Sequence, residues 1–223
     1  MTDDISMANV FNEYFATVGV PSNHLTPSFL ARDVAPINSV DISEQDVIRA
    51  ITRLKNKITT GPDGFPPLLF KKVKYALMFR HMLSVAFVPE IWKKAFITPI
   101  HKKGPCDLVA NYRPVSITSV PCKLLERIVV NKMYCHLIEN NLLCSEQHGF
   151  MRGKSTCTNL LESLNDWTHN VQDGCQTVVI YVDFSKAFDV VQHDKLFIKL
   201  QALGIRGTLL DWIRNLFSHN FPN

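Results

Sequence analysis

The chain has 223 residues, of which 46% are hydrophobic and 20% charged, and its formal net charge is +4. This composition is ordinary for a globular protein and suffices for one sizeable core or for two subdomains. The modest basic excess is compatible with nucleic-acid binding but does not by itself indicate it.

The six cysteines lie far apart and form no C-x-x-C pair, which argues against a zinc site and against a secreted disulfide scaffold. The first residues are acidic and lack the apolar region of a signal peptide. No apolar run approaches the roughly 20 residues that span a bilayer. We therefore expect a soluble intracellular protein, nuclear or cytoplasmic, with no membrane partner and no small-molecule organic cofactor.

The N-terminal third is predicted to begin with a weakly ordered linker segment over residues 1–42, within which residues 9–19 could form a short amphipathic helix. Ser43 and Asp46 then have the spacing of a capping box, which predicts the start of a helix. One or two further helices are predicted over residues 67–87.

A basic hairpin is predicted next, with strands at residues 94–100 and 111–117. Its turn contains Lys102 and Lys103, and Arg113 lies in the second strand. The simplest interpretation is a surface hairpin with solvated charges. The functional alternative is a nucleotide site, because lysine contacts phosphate as a point charge and arginine both stacks on a base and contacts phosphate.

A second basic segment, QHGFMRGKST at residues 147–156, lies between a long predicted helix at 120–140 and another at about 156–170. Ser155 or Thr156 is expected to cap the second helix. Backbone N–H groups at a helix N-terminus, together with two cations, suit a nucleic-acid phosphate. A capped turn with solvated charges explains the same residues equally well.

The stretch TVVIYVD at residues 177–183 predicts a strand buried on both faces that ends at a carboxylate. Two interpretations follow. In one, Asp183 caps a following helix and Phe188 is a core residue. In the other, Asp183 is a Mg²⁺ ligand at a rigid strand end, because Mg²⁺ prefers oxygen ligands on a rigid support.

The string VDFSKAFD at residues 182–189 resembles the first catalytic motif of reverse transcriptases from non-LTR (LINE-type) retrotransposons, in the branch with jockey and CR1-like elements. Four further strings resemble other motifs of that family in the same order: KITTGPDGFP, PEIWK, NYRPVSI and QHGFMRGKST. The resemblance implies an α+β fold, a partial right-hand polymerase with helical fingers, a basic β-hairpin and an incomplete palm sheet, without a thumb. Residues 43–170 would be fingers-like, and 171–223 the first part of the palm.

The resemblance also implies roles for individual residues in two-metal nucleotidyl transfer. Asp183 would bind two Mg²⁺ ions, and the backbone carbonyl of Phe184 would add a ligand. The nucleotide-binding residues would be Lys102 with Lys103 as alternate, Arg113 and Phe188, and the template- or primer-binding residues Gln147, Gly149, Arg152 and Lys154.

Besides the carboxylate that corresponds to Asp183, the family has two further adjacent carboxylates in an (F/Y)-A-D-D hairpin, and these have no counterpart in the sequence. We therefore expect a fragment of an RNA-directed DNA polymerase that is inactive alone, although the complete domain would use an RNA template, a DNA primer and dNTPs. The alternatives are a non-catalytic RNA or template–primer binding remnant and a fragment of a group II intron-type reverse transcriptase.

Overall fold

The computed structural model describes residues 4–17, 28–29, 33–54, 60–66, 76–184 and 186–218. Within this part of the chain, the elements are helices α1 to α8, strands β1 and β2, and one 3₁₀ turn at Val109–Asn111. The helices are α1 (Asp4–Ala16), α2 (Glu44–Thr52), α3 (Ala76–Ser84), α4 (Glu90–Lys93), α5 (Val120–Glu139), α6 (Thr156–Gln172), α7 (His193–Ala202) and α8 (Gly207–Phe217). The strands are β1 (Ala95–His101) and β2 (Tyr112–Thr118).

The chain divides into two compact units. The first contains residues 1–136 and 188–223, and the second contains residues 137–187. The first unit therefore takes residues from both ends of the chain. The three successive segments predicted from the sequence remain a prediction. No helix in the described residues has the length and apolar character that crossing a membrane requires.

The hydrophobic core lies in the first unit. The side chains of Leu124, Phe79 and Ile42 are fully buried, and Trp212 is nearly so. Helix α5 places Leu124, Leu125, Ile128 and Val129 on one buried face because these positions recur at the helical period. The long predicted helix at 120–140 is thus confirmed, and it forms one wall of the core.

Helix α2 begins where the capping box was predicted. The Ser43 hydroxyl accepts a hydrogen bond from the Asp46 backbone N–H at 3.1 Å, and the Asp46 carboxylate accepts one from the Ser43 N–H at 3.0 Å. Lys132 Nζ lies 3.2 Å from the same carboxylate. Burial alone raises the pKa of Asp46, but the hydrogen bonds from Ser43 and the Lys132 contact outweigh it, so the pKa lies below its ordinary value.

The end of the predicted linker contributes to the core. Val40 and Ile42 are buried, and Ile37 forms a parallel bridge with Ile205 ahead of α8. The helix expected within residues 9–19 is present as α1, which begins at Asp4 and ends at Ala16. Residues 18 and 19 lie outside the described residues, as do the first nine residues of the helical segment predicted at 67–87.

Strands β1 and β2 form an antiparallel hairpin in the predicted place, one residue later in each strand. Its register pairs Ile100 with Arg113 and His101 with Tyr112. The GPDG segment at residues 61–64 forms a tight turn, in which the Gly64 N–H donates to the Gly61 carbonyl at 3.0 Å. A Cβ on Gly61 would lie 2.8 Å from the Ser119 backbone, so the close approach of these segments requires glycine.

The prediction of a strand buried on both faces at residues 177–182 is wrong. Described residues 175–184 have no regular secondary structure, and the side chains from Val178 to Val182 are exposed, with Ile180 at 81%. A strand requires a neighbour for its backbone hydrogen bonds, and the two strands of the described residues pair with each other. The apolar run therefore has strand composition without a sheet to join.

The interpretation of Asp183 as a helix cap is wrong as well. Residues 186–190 form turns, and the next helix, α7, begins ten residues after Asp183 with Gln192 at its N-cap. Phe188 is 77% exposed and so is not a core residue. Neither part of the purely structural interpretation of this motif therefore holds.

Candidate nucleotide and nucleic-acid sites

The hairpin tip in the first unit presents the predicted nucleotide-binding cations. Arg113, Lys102 and Lys103 are all exposed. The Lys102 N–H donates to the Asn111 carbonyl at 2.8 Å, which continues the strand register by one pair beyond His101 and Tyr112. Since alternate strand residues share a face and cross-strand partners point the same way, Lys102 and Arg113 belong to one face of the hairpin.

The loop between the strands is held in shape by hydrogen bonds of its own residues. Asn111 Nδ2 donates to the Pro105 carbonyl at 2.8 Å, and the Tyr112 hydroxyl donates to the Cys106 carbonyl at 2.9 Å. Gly104 has φ +82°, and a Cβ there would lie 2.7 Å from Asn111 Nδ2. Glycine at position 104 thus lets the loop turn tightly behind the lysines.

Helix α1 also contacts this loop. The rings of Phe11 and Tyr112 meet edge to face with centroids 4.8 Å apart, and the ring centroids of His101 and Tyr112 lie 5.2 Å apart, also edge to face. Aromatic pairs in this geometry add to the stabilisation from apolar burial. The contacts of Tyr112 therefore stabilise the backbone of β2 next to Arg113.

The second unit contains the predicted template- or primer-binding loop. Ser155 caps α6, because its hydroxyl accepts from the Thr158 N–H at 3.2 Å and the Thr158 hydroxyl accepts from the Ser155 N–H at 2.9 Å. The predicted Ser155 cap is thus confirmed. The Gln147 side-chain amide donates to the Gly149 carbonyl at 3.2 Å, so these two residues shape the loop from within.

The two cationic side chains of this loop, Lys154 and Arg152, differ in their exposure and contacts. Lys154 Nζ donates to the Ser145 carbonyl and is half-buried, which ties it to the loop, whereas Arg152 is exposed. Hydrogen bonds from Cys144 and Ser145 lower the pKa of Glu146 to about 2, so this carboxylate is ionised at neutral pH. A nucleic-acid phosphate would therefore be drawn to the Arg152 end of the loop and repelled from the Glu146 end.

His148 is a structural residue of this loop that the sequence did not indicate. It is buried, with Nδ1 2.8 Å from the Thr158 hydroxyl and Nε2 2.9 Å from a Glu162 carboxylate oxygen. Both contacts are to α6, so the histidine fixes the loop to its helix. A single histidine in a polar segment belongs to no repeating pattern that would predict its burial. The one available sign is that Thr158 and Glu162 lie one helical turn apart on α6 and so face the same side.

The predicted metal ligands Asp183 and Phe184, and Phe188, the predicted nucleotide-binding residue of the same motif, lie outside helices and strands. Asp183 is exposed and the Phe184 side chain is 73% exposed, both within the second unit. Phe188 belongs to the first unit. All three side chains are exposed.

A magnesium site needs several oxygen ligands around one ion. The described residues contain no cluster of three or more histidine, cysteine or acidic side chains that could hold a metal ion. Asp183 supplies one carboxylate, and that is less than the donor set of a complete site. The residues described do not by themselves fit two Mg²⁺ ions.

Comparison with known proteins identifies the family. Residues 100–223 match the model of the family "Reverse transcriptase (RNA-dependent DNA polymerase)". These residues include the hairpin cations, the loop before α6 and the motif around Asp183.

Individual relatives come from mobile elements. A probable RNA-directed DNA polymerase from transposon BS of Drosophila melanogaster is 31% identical over 75% of this chain and 19% of its own length. The RNA-directed DNA polymerase from mobile element jockey of the same species is 32% identical over 57% of this chain and 14% of its own. A retrovirus-related Pol polyprotein from type-1 retrotransposable element R2 of Popillia japonica is 33% identical over 65% and 20%. The chain thus spans a fifth or less of these relatives.

Proposed function

Because the chain belongs to the reverse transcriptase family, we propose that it carries the nucleotide-binding and nucleic-acid-binding part of an RNA-directed DNA polymerase. The relatives from transposons and retrotransposable elements confirm the resemblance to non-LTR retrotransposon polymerases. The observation that carries the proposal is that the family match includes both cationic sites, each of which is held in shape by hydrogen bonds. In this proposal the fold is part of a right-hand polymerase, with the hairpin in its fingers.

The proposed role of the hairpin tip is to bind the triphosphate of an incoming dNTP. Lys102, with Lys103 beside it, would neutralise phosphate charge, and Arg113 would lie over the nucleotide from the same face as Lys102. Cations aimed at the leaving pyrophosphate stabilise the charge that develops during nucleotidyl transfer. Phe188 would contact the sugar, which is how a polymerase can exclude a ribose 2′-OH.

The proposed role of the loop before α6 is to bind the backbone of an RNA template or a DNA primer. Arg152 provides the exposed charge, Lys154 contributes charge from a fixed position, and Gln147 with Gly149 shapes the backbone around them. The N-terminus of the 17-residue helix α6 adds its positive end to the same region.

Asp183 is proposed as one ligand of the magnesium site, with the Phe184 carbonyl as another. Bound Mg²⁺ would activate the primer hydroxyl and stabilise the leaving pyrophosphate. Since the described residues do not assemble a full ligand set, we expect the 223-residue chain alone not to extend a primer. Primer extension by the chain that is lost in Asp183→Asn would contradict this expectation and would show that the remaining ligands are present.

The two binding sites can be tested against each other. Arg113→Ala is expected to weaken binding of a fluorescent dNTP and to spare binding of an RNA–DNA template–primer. Arg152→Ala is expected to do the reverse and to reduce the slope of log K against log salt by about 0.7 to 0.9, the value for one phosphate contact. Arg49→Ala, which removes an exposed arginine of α2, is the matched control and should change neither.

The outcomes separate the proposed enzyme from simpler alternatives. If Arg113 and Arg152 variants bind both ligands as well as the parent chain, the proposed sites are wrong. If only template–primer binding is present and sensitive to Arg152, the second candidate function applies: a non-catalytic nucleic-acid binding protein. Two observations support this second function. The loop before α6 has a complete capping box, whereas the described residues contain no cluster of side chains that could hold a metal ion.

A further inference from the structure

Phe150 combines two unusual features. Its side chain is 88% exposed, the largest fraction among the exposed large apolar side chains of the described residues. Its φ is +62°, in the left-handed region that bulky residues rarely adopt. Strained backbone of this kind persists where the surroundings impose it, and it concentrates at functional sites.

The strain follows from the position of Phe150 in a tight turn. The Met151 N–H donates to the His148 carbonyl at 3.3 Å, which makes Phe150 the third residue of the turn. Glycine is the preferred residue at the third position of a turn with positive φ. Here Gly149 occupies the second position instead, so the sequence places a large aromatic ring where a glycine would relieve the strain.

The turn is anchored on both sides of the ring. His148, the residue at the start of the turn, contacts Thr158 at 2.8 Å and Glu162 at 2.9 Å on α6. After the turn, the Lys154 N–H donates to the Met151 carbonyl at 3.4 Å. The exposed ring of Phe150 is thus displayed by a fixed backbone.

The cavity beside the ring has groups that suit the base and the phosphate of a nucleotide. A shallow cavity of about 380 Å³ is lined by Phe150, Lys154 and the start of α6 at Ser155, Thr156 and Asn159. An aromatic face offers a platform for a base, while a lysine and a helix N-terminus favour the phosphate attached to it. Arg152, exposed in the same loop, can contact the next phosphate.

We propose that Phe150 stacks on an unpaired nucleobase of the bound nucleic acid. This inference rests on the proposed function of the loop, and it adds both a base-contacting residue and a preference for single-stranded over fully paired nucleic acid. Stacking is tolerant of sequence because every base has a π-face. The contact therefore supplies affinity without reading the sequence.

The test is fluorescence-anisotropy binding of the 223-residue chain to a single-stranded RNA oligonucleotide and to the same sequence as a duplex. Phe150→Ala is expected to weaken single-strand binding by about 5- to 150-fold, the range for one lost stack. It should leave duplex binding and the salt slope unchanged, because no cation is removed. Phe150→Trp should retain single-strand binding. Phe87→Ala, which truncates an exposed phenylalanine of the first unit, is the control.

A second variant separates stacking from a structural role. Phe150→Gly should raise the melting temperature, because glycine adopts φ +62° without strain, and at the same time it should weaken single-strand binding as much as Phe150→Ala. If binding is unchanged in Phe150→Ala while Arg152→Ala still lowers the salt slope, the stacking proposal is wrong and the proposed phosphate contact stands. If neither variant affects binding, both proposals fail. Equal weakening on single strand and duplex would also contradict stacking.

Discussion

The two units of this chain are stabilised in different ways. The first unit packs apolar faces of α2, α3, α5 and α8 into one core, in which Leu124 is fully buried. In the second unit, His148 is the one buried residue among those described, and Leu161 on α6 is 66% exposed. One unit is held by apolar burial and the other by caps, turns and side-chain hydrogen bonds.

This difference shows which structures a chain can form from its own residues. A helix satisfies its backbone hydrogen bonds internally, so α6 forms with a cap and little burial. A strand depends on a neighbour, so the apolar run at residues 177–182 remains irregular where no neighbour pairs with it. The two proposed binding sites follow the same division, since the strands of the hairpin pair with each other and the loop before α6 supplies its own helix cap.

The largest effect should come from matched leucine substitutions in the two units. Leu124→Ala is expected to lower the free energy of unfolding by about 2 to 5 kcal/mol, because it leaves a cavity in the core. Leu161→Ala should change it by less than about 0.5 kcal/mol, as for other exposed positions. Chemical denaturation of both variants checks this. Similar losses would mean that the second unit has an apolar core of its own.

Removing the anchor of the second unit should have an intermediate effect. His148→Ala deletes the contacts to Thr158 and Glu162, and a loss of about 1 to 3 kcal/mol is expected for a buried hydrogen-bonding group. Hydrogen exchange of the backbone amides in residues 147–154 should accelerate. His169→Ala, at an exposed position of α6, is the control. Unchanged exchange in His148→Ala would mean that the loop is held by other contacts.

The two capping boxes sharpen the comparison because they differ in chemistry. Ser43→Ala and Ser155→Ala should each cost about 1 kcal/mol. Only the first box contains a carboxylate. Burial raises the pKa of Asp46, but the hydrogen bonds from Ser43 and the contact with Lys132 outweigh it and hold the pKa below its ordinary value. The stabilisation is therefore present above the ordinary carboxylate pKa and is lost as the pH falls through the lower folded-state pKa.

The role of the Asp46 carboxylate can be checked by thermal unfolding between about pH 2 and 6, a range that includes the ordinary pKa of an aspartate. The parent chain should lose stability towards the acid end, and Asp46→Asn should flatten this part of the dependence. Ser155→Ala should leave its shape unaltered, since Thr158 does not titrate. An identical pH dependence in the parent chain and Asp46→Asn would contradict the assigned role of the carboxylate.

The smallest effect is expected at Glu126. Burial raises the pKa of this carboxyl, although the hydrogen bond from the Cys122 thiol at 3.2 Å opposes the shift. A raised folded-state pKa means that the protonated form favours folding at low pH, and that this stabilisation is lost as the pH rises through the folded-state pKa. Glu126→Gln should therefore be slightly more stable than the parent chain at neutral pH and no more stable at acid pH. A variant that is less stable at neutral pH would disprove this.

Local sequence signals predicted most of the described elements. The Ser43 and Ser155 caps, the helical period of α5 and the hairpin around Gly104 each rest on interactions within a few residues, or between adjacent strands, and the structure contains them. The predictions that failed concern burial, which depends on contacts between residues far apart in the sequence. Ile42 was assigned to a linker because nothing near it in sequence shows that it meets the core, and Phe188 was considered as core because it is aromatic.

The candidate sites divide in the same manner. The sequence identified Lys102, Arg113, Arg152 and Asp183 through motifs. Their roles are predictions that the binding and primer-extension experiments test. It gave no sign of the buried contacts of His148 or of the strained exposure of Phe150, because both depend on how the turn meets α6. Patterns report which residues are present, whereas burial and backbone strain depend on what surrounds them.

By itself, the sequence determined the family, the helices that begin at a serine cap and the cations carried by the hairpin and the loop. Only the tertiary structure decided that residues from both ends of the chain share one core, that the second unit is held by polar contacts, and that Phe150 is displayed at φ +62°. The physical reason is range. Caps, turns and helical periods are satisfied by neighbours in sequence, while a core, or a strand such as the one expected at residues 177–182, exists only when distant segments meet.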